Sequence, residues 1–108
     1  MTIYHIITKP AWEEARKNGV YRPASLETEG FIHASMKEQV VPTANRRFSG
    51  RTDLLVLVIN TDKIDHKIVF EESPTTGEKY PHIYGSLSTD AVEKVLALKS
   101  GQNGFELS

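Results

Sequence analysis

The stretch that most constrains this chain is "DLLVLVIN", Asp53 to Asn60, a near-continuous apolar run. A strand with one wet face alternates polar and apolar residues, and this one does not. It therefore reads as a central strand covered on both faces. The chain has 108 residues, enough for one domain spanning 1–108 and one core, without room for a second.

The flanking segments are short and punctuated. Ile3–Thr8 is β-branched and aromatic, a good strand. "TKPAWEEARKNG" then carries helix signals at both ends: Thr8 to cap, Pro10 in the first turn, Arg16 and Lys17 late, and Gly19 to stop it. "VYRPASLET" reads as irregular, because Pro23 pushes Arg22 to extended geometry. "EGFIHAS", Glu29–Ser35, supplies a second strand. In "SMKEQVVPTANRRF", Ser35 and Glu38 have capping-box spacing, and Pro42 should kink or split the helix. "HKIVFEE" and "YPHIYGSL" are strands around the turn "SPTTGEK", with Gly77 at the positive-φ position. "STDAVEKVLALKSG" has the spacing of an amphipathic helix ending at Gly101, and "FELS" is a last strand. The order β-α-β-α-β-β-β-α-β lacks strict alternation. It predicts an α+β fold with mixed or antiparallel sheets and about three helices.

Composition narrows the function classes. The net charge of −1 gives no footprint for nonspecific nucleic-acid or membrane binding. Arg46, Arg47 and Arg51 lie close together and read as a solvated helix end. There is no cysteine, hence no thiolate nucleophile or ligand. No signal peptide or membrane-spanning run is evident, and the expected location is cytoplasmic. Dinucleotide and P-loop glycine fingerprints are absent.

The chemistry-bearing residues are histidines in strands: His5 in "IYHII", His33 in "GFIHAS" and His82 in "YPHIYG". Parity places His5 with Ile3 and Ile7, and His33 with Phe31 and Ser35. An imidazole on an apolar face needs a partner, since unsatisfied burial costs roughly 1–3 kcal/mol. A satisfied core histidine explains one such residue; three in different strands point to a shared pocket. His66, in the polar "IDHK", reads as exposed.

Other groups are placed to join that pocket. Arg22 can reach over a strand edge toward an anion. Ser35 either caps a helix or meets a ligand, and Glu71 can orient a ring, whereas Glu72 reads as a solvated strand end. Tyr80 and Tyr84 share the face of His82, and Gly85 leaves space for close approach by a ligand. A His₃ metal site is chemically sound, but these gaps are long. Ser35 sits in no G-x-S-x-G elbow.

"YHI", "YRPASLETEGFIHAS" with Gln39, and "YPHIYGSLSTDAV" resemble an uncharacterised bacterial family, domain of unknown function 952, nearly end to end. The resemblance implies a fold similar to the ADP-ribosyltransferase superfamily, with two small sheets flanking an NAD-binding cleft. In that likeness His5 resembles the histidine that holds the adenosine ribose of NAD. His33 stands where a tyrosine usually meets nicotinamide, and Ser35 opens the next helix. His82 stands where a catalytic glutamate is common. The histidine-rich set is more similar to the RNA 2′-phosphotransferase branch, although this chain lacks that branch's additional winged-helix-like domain.

The expected function is binding of a nucleotide or phosphate-bearing ligand, NAD or ADP-ribose among them, in a histidine-lined cleft. His5, Arg22, Ser35, Tyr84 and Glu71 are its expected ligand contacts, with His33 and His82 for group transfer or hydrolysis. The alternatives are a noncatalytic interaction or regulatory module and a His-ligated metalloenzyme.

Overall fold

The apolar run needs a strand on each edge and a layer on each face, and the computed structural model, which describes residues 1–107, supplies them. In chain order the elements are β1 (Thr2–Thr8), α1 (Lys9–Asn18), β2 (Val20–Tyr21), α2 (Ser25–Thr28), β3 (Ile32–His33), α3 (Val40–Arg47) and β4 (Leu54–Asn60). They continue as β5 (Lys67–Glu72), β6 (Lys79–Tyr84), β7 (Leu87–Ser88), β8 (Val92–Gly101) and β9 (Gly104–Leu107). The main sheet has the order β1-β4-β8-β9, all antiparallel, with β4 inside it as its composition requires. Leu54 and Val56 face Val40, Ala44 and Phe105 on one side. Leu57 and Ile59 join Ile3, Ile7, Ile32 and Ile83 on the other. Full burial of such side chains stabilises by about 1.5–3 kcal/mol each.

A second antiparallel sheet, β3-β6-β5, packs Ile32, Ile83 and Ile68 against that core. Side chains alternate, so its other face carries His33, His82, Val69 and Glu71 in register: His33↔His82, Val69↔His82, Glu71↔Tyr80. Just past β3 the chain leaves β6 and meets β1. The Ala34 amide bonds Pro81, while Ser35 and Tyr4 exchange two backbone hydrogen bonds of 2.7 and 2.8 Å. That crossing brings His5 and His33 together. The pair β2-β7 forms a third small sheet.

Several sequence expectations hold locally. Thr8 accepts from the Ala11 amide, and Gly19 ends α1 at φ 74°. Gly77 turns at φ 75°. Pro42 splits its segment into a 3₁₀ turn, Lys37–Gln39, and α3, where it sits in the first turn and its missing N–H breaks no bond. The "FELS" strand forms through Leu107; Ser108 lies outside the described residues.

Three expectations are overturned. "STDAVEKVLALKSG" is a helix only for the turn Thr89–Ala91, capped by Ser88, and then becomes the ten-residue strand β8. The free edge of β4 needs a hydrogen-bonded partner, and that requirement outweighs helical spacing. Ser35 caps nothing: its backbone is spent on Tyr4, and the box shifts one residue, with the Met36 amide donating to Gln39 Oε1 at 2.9 Å. The space above Gly85, expected to be open to a ligand, is taken by the His66 ring, which a Cβ there would meet at 2.2 Å. No helix among the described residues is long and apolar enough to cross a membrane.

Candidate functional site

His5, His33 and His82 line one cleft of about 670 Å³. It is bounded by the polar face of β3-β6-β5, by β1, by the C-terminal turn of α3 and by the loop after β5. The convergence anticipated from three separated strands is therefore present.

His5 belongs to the wall. Its Nδ1 meets the His33 carbonyl oxygen and its Nε2 lies 2.9 Å from the Tyr21 hydroxyl. A carbonyl only accepts, so Nδ1 carries the hydrogen and Tyr21 donates to Nε2. Burial disfavours the charged ring and lowers its pKa to about 4, a shift the His33 carbonyl only partly opposes. Burial likewise pushes the Tyr21 phenol up to about 12. His5 is thus neutral near pH 7, and both nitrogens are occupied.

His33 and His82 differ from it. His33 Nε2 donates to Glu29 at 2.9 Å, and this bond holds the Glu29 carboxyl below the usual range. His82 Nδ1 donates to Glu71 at 2.7 Å. Glu71 also accepts the Tyr84 hydroxyl; that bond first, and His82 second, depress its pKa. The same contact raises the Tyr84 phenol. A carboxylate on one ring nitrogen fixes orientation and leaves the other nitrogen for chemistry. Phe31 lies flat on His82, with centroids 4.0 Å apart and planes 10° apart, and meets His33 edge-on at 4.9 Å. The His33 and His82 centroids are 5.3 Å apart.

The cations are not where Arg22 suggested. Arg22 is exposed and lines a different hollow, against α1. Arg46 and Arg47 are exposed in the last turn of α3, the solvated helix end read from the sequence, and they also line the histidine cleft. Arg46 donates to the Tyr80 hydroxyl at 3.4 Å, and neither arginine has a carboxylate within ion-pair distance among the described residues. Ser35 is 5% exposed within the wall. Glu72, expected only as a solvated end, also borders the cleft. Tyr84 stands outside the lining and reaches the site through Glu71. Sequence reasoning missed Tyr21, Glu29 and the stacking of Phe31. Among the described residues no three His, Asp or Glu side chains cluster as a metal site.

The family described as "Protein of unknown function (DUF952)" matches residues 6–95. The chain belongs to the DUF952 family. The DUF952 match takes in His33, His82, Glu29, Glu71, Arg46 and Arg47, and begins one residue after His5. The crystal structure of protein CC0527 from Caulobacter crescentus is 28% identical, with a TM-score of 0.86 over 100% of this chain and 94% of that one. The solution NMR structure of CC0527 gives 0.82 over 96% and 90% at the same 28% identity. A search of curated proteins finds no match.

Proposed function

We propose that this DUF952 chain binds a nucleotide or another phosphate-bearing ligand in the histidine cleft. One observation carries the reading: Arg46 and Arg47, neither of them in a close ion pair although Arg47 acts on Glu29 from a distance, line the same cleft as two imidazoles that carboxylates hold in place. Guanidinium pairs well with phosphate oxygens, and the faces of Phe31, Tyr21 and Phe48 suit a planar base. The sequence resemblance to ADP-ribosyltransferases makes NAD and ADP-ribose the first ligands to test. His5, with both nitrogens engaged, acts in this reading by positioning Tyr21 and the His33 backbone rather than by touching ribose.

Isothermal titration with NAD, ADP-ribose, nucleoside mono- and diphosphates and inorganic phosphate tests the proposal. Wild type binds at least one. Arg46→Ala with Arg47→Ala weakens it tenfold or more, since a hydrogen bond to a charged group contributes about 1.5–3 kcal/mol. No heat with any of them, or unchanged heat from His33→Ala, retires it.

A noncatalytic interaction module is the second reading. It is favoured by the internal hydrogen bond that each of the three histidines already makes. In that case none of these ligands moves an imidazole resonance in an NMR titration.

A further inference from the structure

We infer that His33 and His82 are an acid–base pair for the hydrolysis of a small phosphodiester, with a nucleoside cyclic phosphate as the fitting substrate class. The inference rests on the cleft reading above and adds the reaction.

The two residues are direct cross-strand partners on β3 and β6, so the sheet sets their separation. Their rings stand 5.3 Å apart and 76° to one another. Each spends one nitrogen on a carboxylate, His33 Nε2 on Glu29 and His82 Nδ1 on Glu71. His33 Nδ1 and His82 Nε2 have no hydrogen-bond partner among the described residues. Phe31 against both rings fixes their planes. Displacement at phosphorus needs a proton taken from the attacking oxygen and one given to the leaving oxygen, and imidazole does either near neutrality. It also needs cations on the non-bridging oxygens, which Arg46 and Arg47 supply.

Exposure divides the roles. His33, with 41% of its side chain exposed, meets water and acts as the base. His82, 13% exposed and held to Glu71 at 2.7 Å, is the imidazolium acid. Neutral His33 takes a proton from water as the water oxygen bonds to phosphorus. The bond from phosphorus to the ester oxygen breaks, and His82 gives that oxygen its proton. A cyclic diester and one water become one phosphomonoester with a free hydroxyl, and proton exchange with solvent restores both rings. No other reactant enters. The net charge of −1 and the size of the cleft favour a mononucleotide over a polymer.

Phosphorus NMR of wild-type protein with 2′,3′-cyclic and 3′,5′-cyclic nucleoside monophosphates tests this, alongside titration with the nucleoside monophosphate products. Wild type converts at least one diester, with a bell-shaped pH–rate profile. His33→Ala and His82→Ala each lose about 10²–10⁴-fold in kcat while keeping the wild-type amide NMR pattern elsewhere, and added imidazole restores part of the His33→Ala rate. Glu71→Gln displaces one limb of the profile but still binds product. Product binding without diester turnover overturns the acid–base assignment and leaves the cleft reading standing. Neither binding nor turnover overturns both. Turnover that survives either histidine substitution within tenfold also overturns the pair.

Discussion

The Tyr21 hydroxyl donates to His5 Nε2 in the cleft wall, and among the described residues neither of these two atoms has another hydrogen-bond partner. Tyr21→Phe leaves His5 Nε2 without a donor. The expected loss is about 1–3 kcal/mol, the cost of an unsatisfied buried acceptor, read by chemical denaturation; an unchanged midpoint would show that water reaches this nitrogen. Gly85→Ala makes a separate local test, because its Cβ would meet three His66 ring atoms between 2.2 and 2.5 Å. His66 is exposed and can swing away. Gly85→Ala alone therefore destabilises by about 1 kcal/mol, and His66→Ala removes that penalty, a coupling that a double-mutant cycle detects; additive effects would contradict the contact. The histidines were legible at this scale because each interrupts an apolar strand, and parity places His5 beside Ile3 and Ile7; His33 and His82, however, stand on the polar face of β3-β6-β5, opposite Ile32 and Ile83. The arginines were not legible. Whether Arg22 or Arg46 reaches the cleft depends on how α3 and the Pro23 loop dock, and no local pattern carries that information.

The pairing of β8 and β9 shows where local pattern and tertiary demand part. Ala91, Val92, Val95 and Leu98 have helical spacing, yet Val95 pairs with Leu57 and Leu96 with Val56, because β4 has an edge to fill. The centrality of β4 was legible from its own composition; the identity of its second neighbour was not, since strand pairing is nonlocal. The β8-β9 hairpin in turn depends on α3. Asn45 Oδ1 accepts from the Phe105 amide at 2.8 Å and lies 2.7 Å from where a Cβ on Gly104 would stand. Gly104 itself sits at φ 106°. Gly104→Ala thus combines backbone strain of about 1–3 kcal/mol with displacement of Asn45. Asn45→Ala costs only the hydrogen bond, about 1 kcal/mol. Thermal melts should rank Gly104→Ala as the less stable variant, and the reverse order would mean that the hairpin turn relaxes freely.

The response of the whole molecule to pH follows from what the fold does to its ionisable groups. His5 drops from 6.5 to about 4 on folding, chiefly because burial excludes the charged ring. Above pH 6.5 the ring is neutral in both states and the full stability is present. Between 6.5 and about 4 the unfolded chain takes up a proton that the folded one refuses, so stability falls as the pH is lowered through that window. The shift corresponds to a loss of about 2–4 kcal/mol. Glu29, Glu71 and Asp53 have carboxyls held below their usual value of 4.5 or 3.8 by His33, by Tyr84 and His82, and by Arg51 respectively. Their contributions are present above those values and are lost only at lower pH. These carboxylates are solvent-accessible, so salt screens their contribution, whereas the His5 contribution comes from burial and resists salt. Urea denaturation from pH 7 to 4.5, at low and high salt, separates the two. Wild type should lose stability across this range at both salt levels. His5→Gln should be less stable at pH 7, because the hydrogen bonds to Tyr21 and the His33 carbonyl are disturbed, but its profile should be flatter toward pH 4.5. A wild-type profile already flat from 6.5 to 4.5, or a slope that persists in His5→Gln, would mean that the imidazole in the wall is not held neutral. In that case His5 would be free to act on the ligand directly rather than through Tyr21 and the His33 backbone.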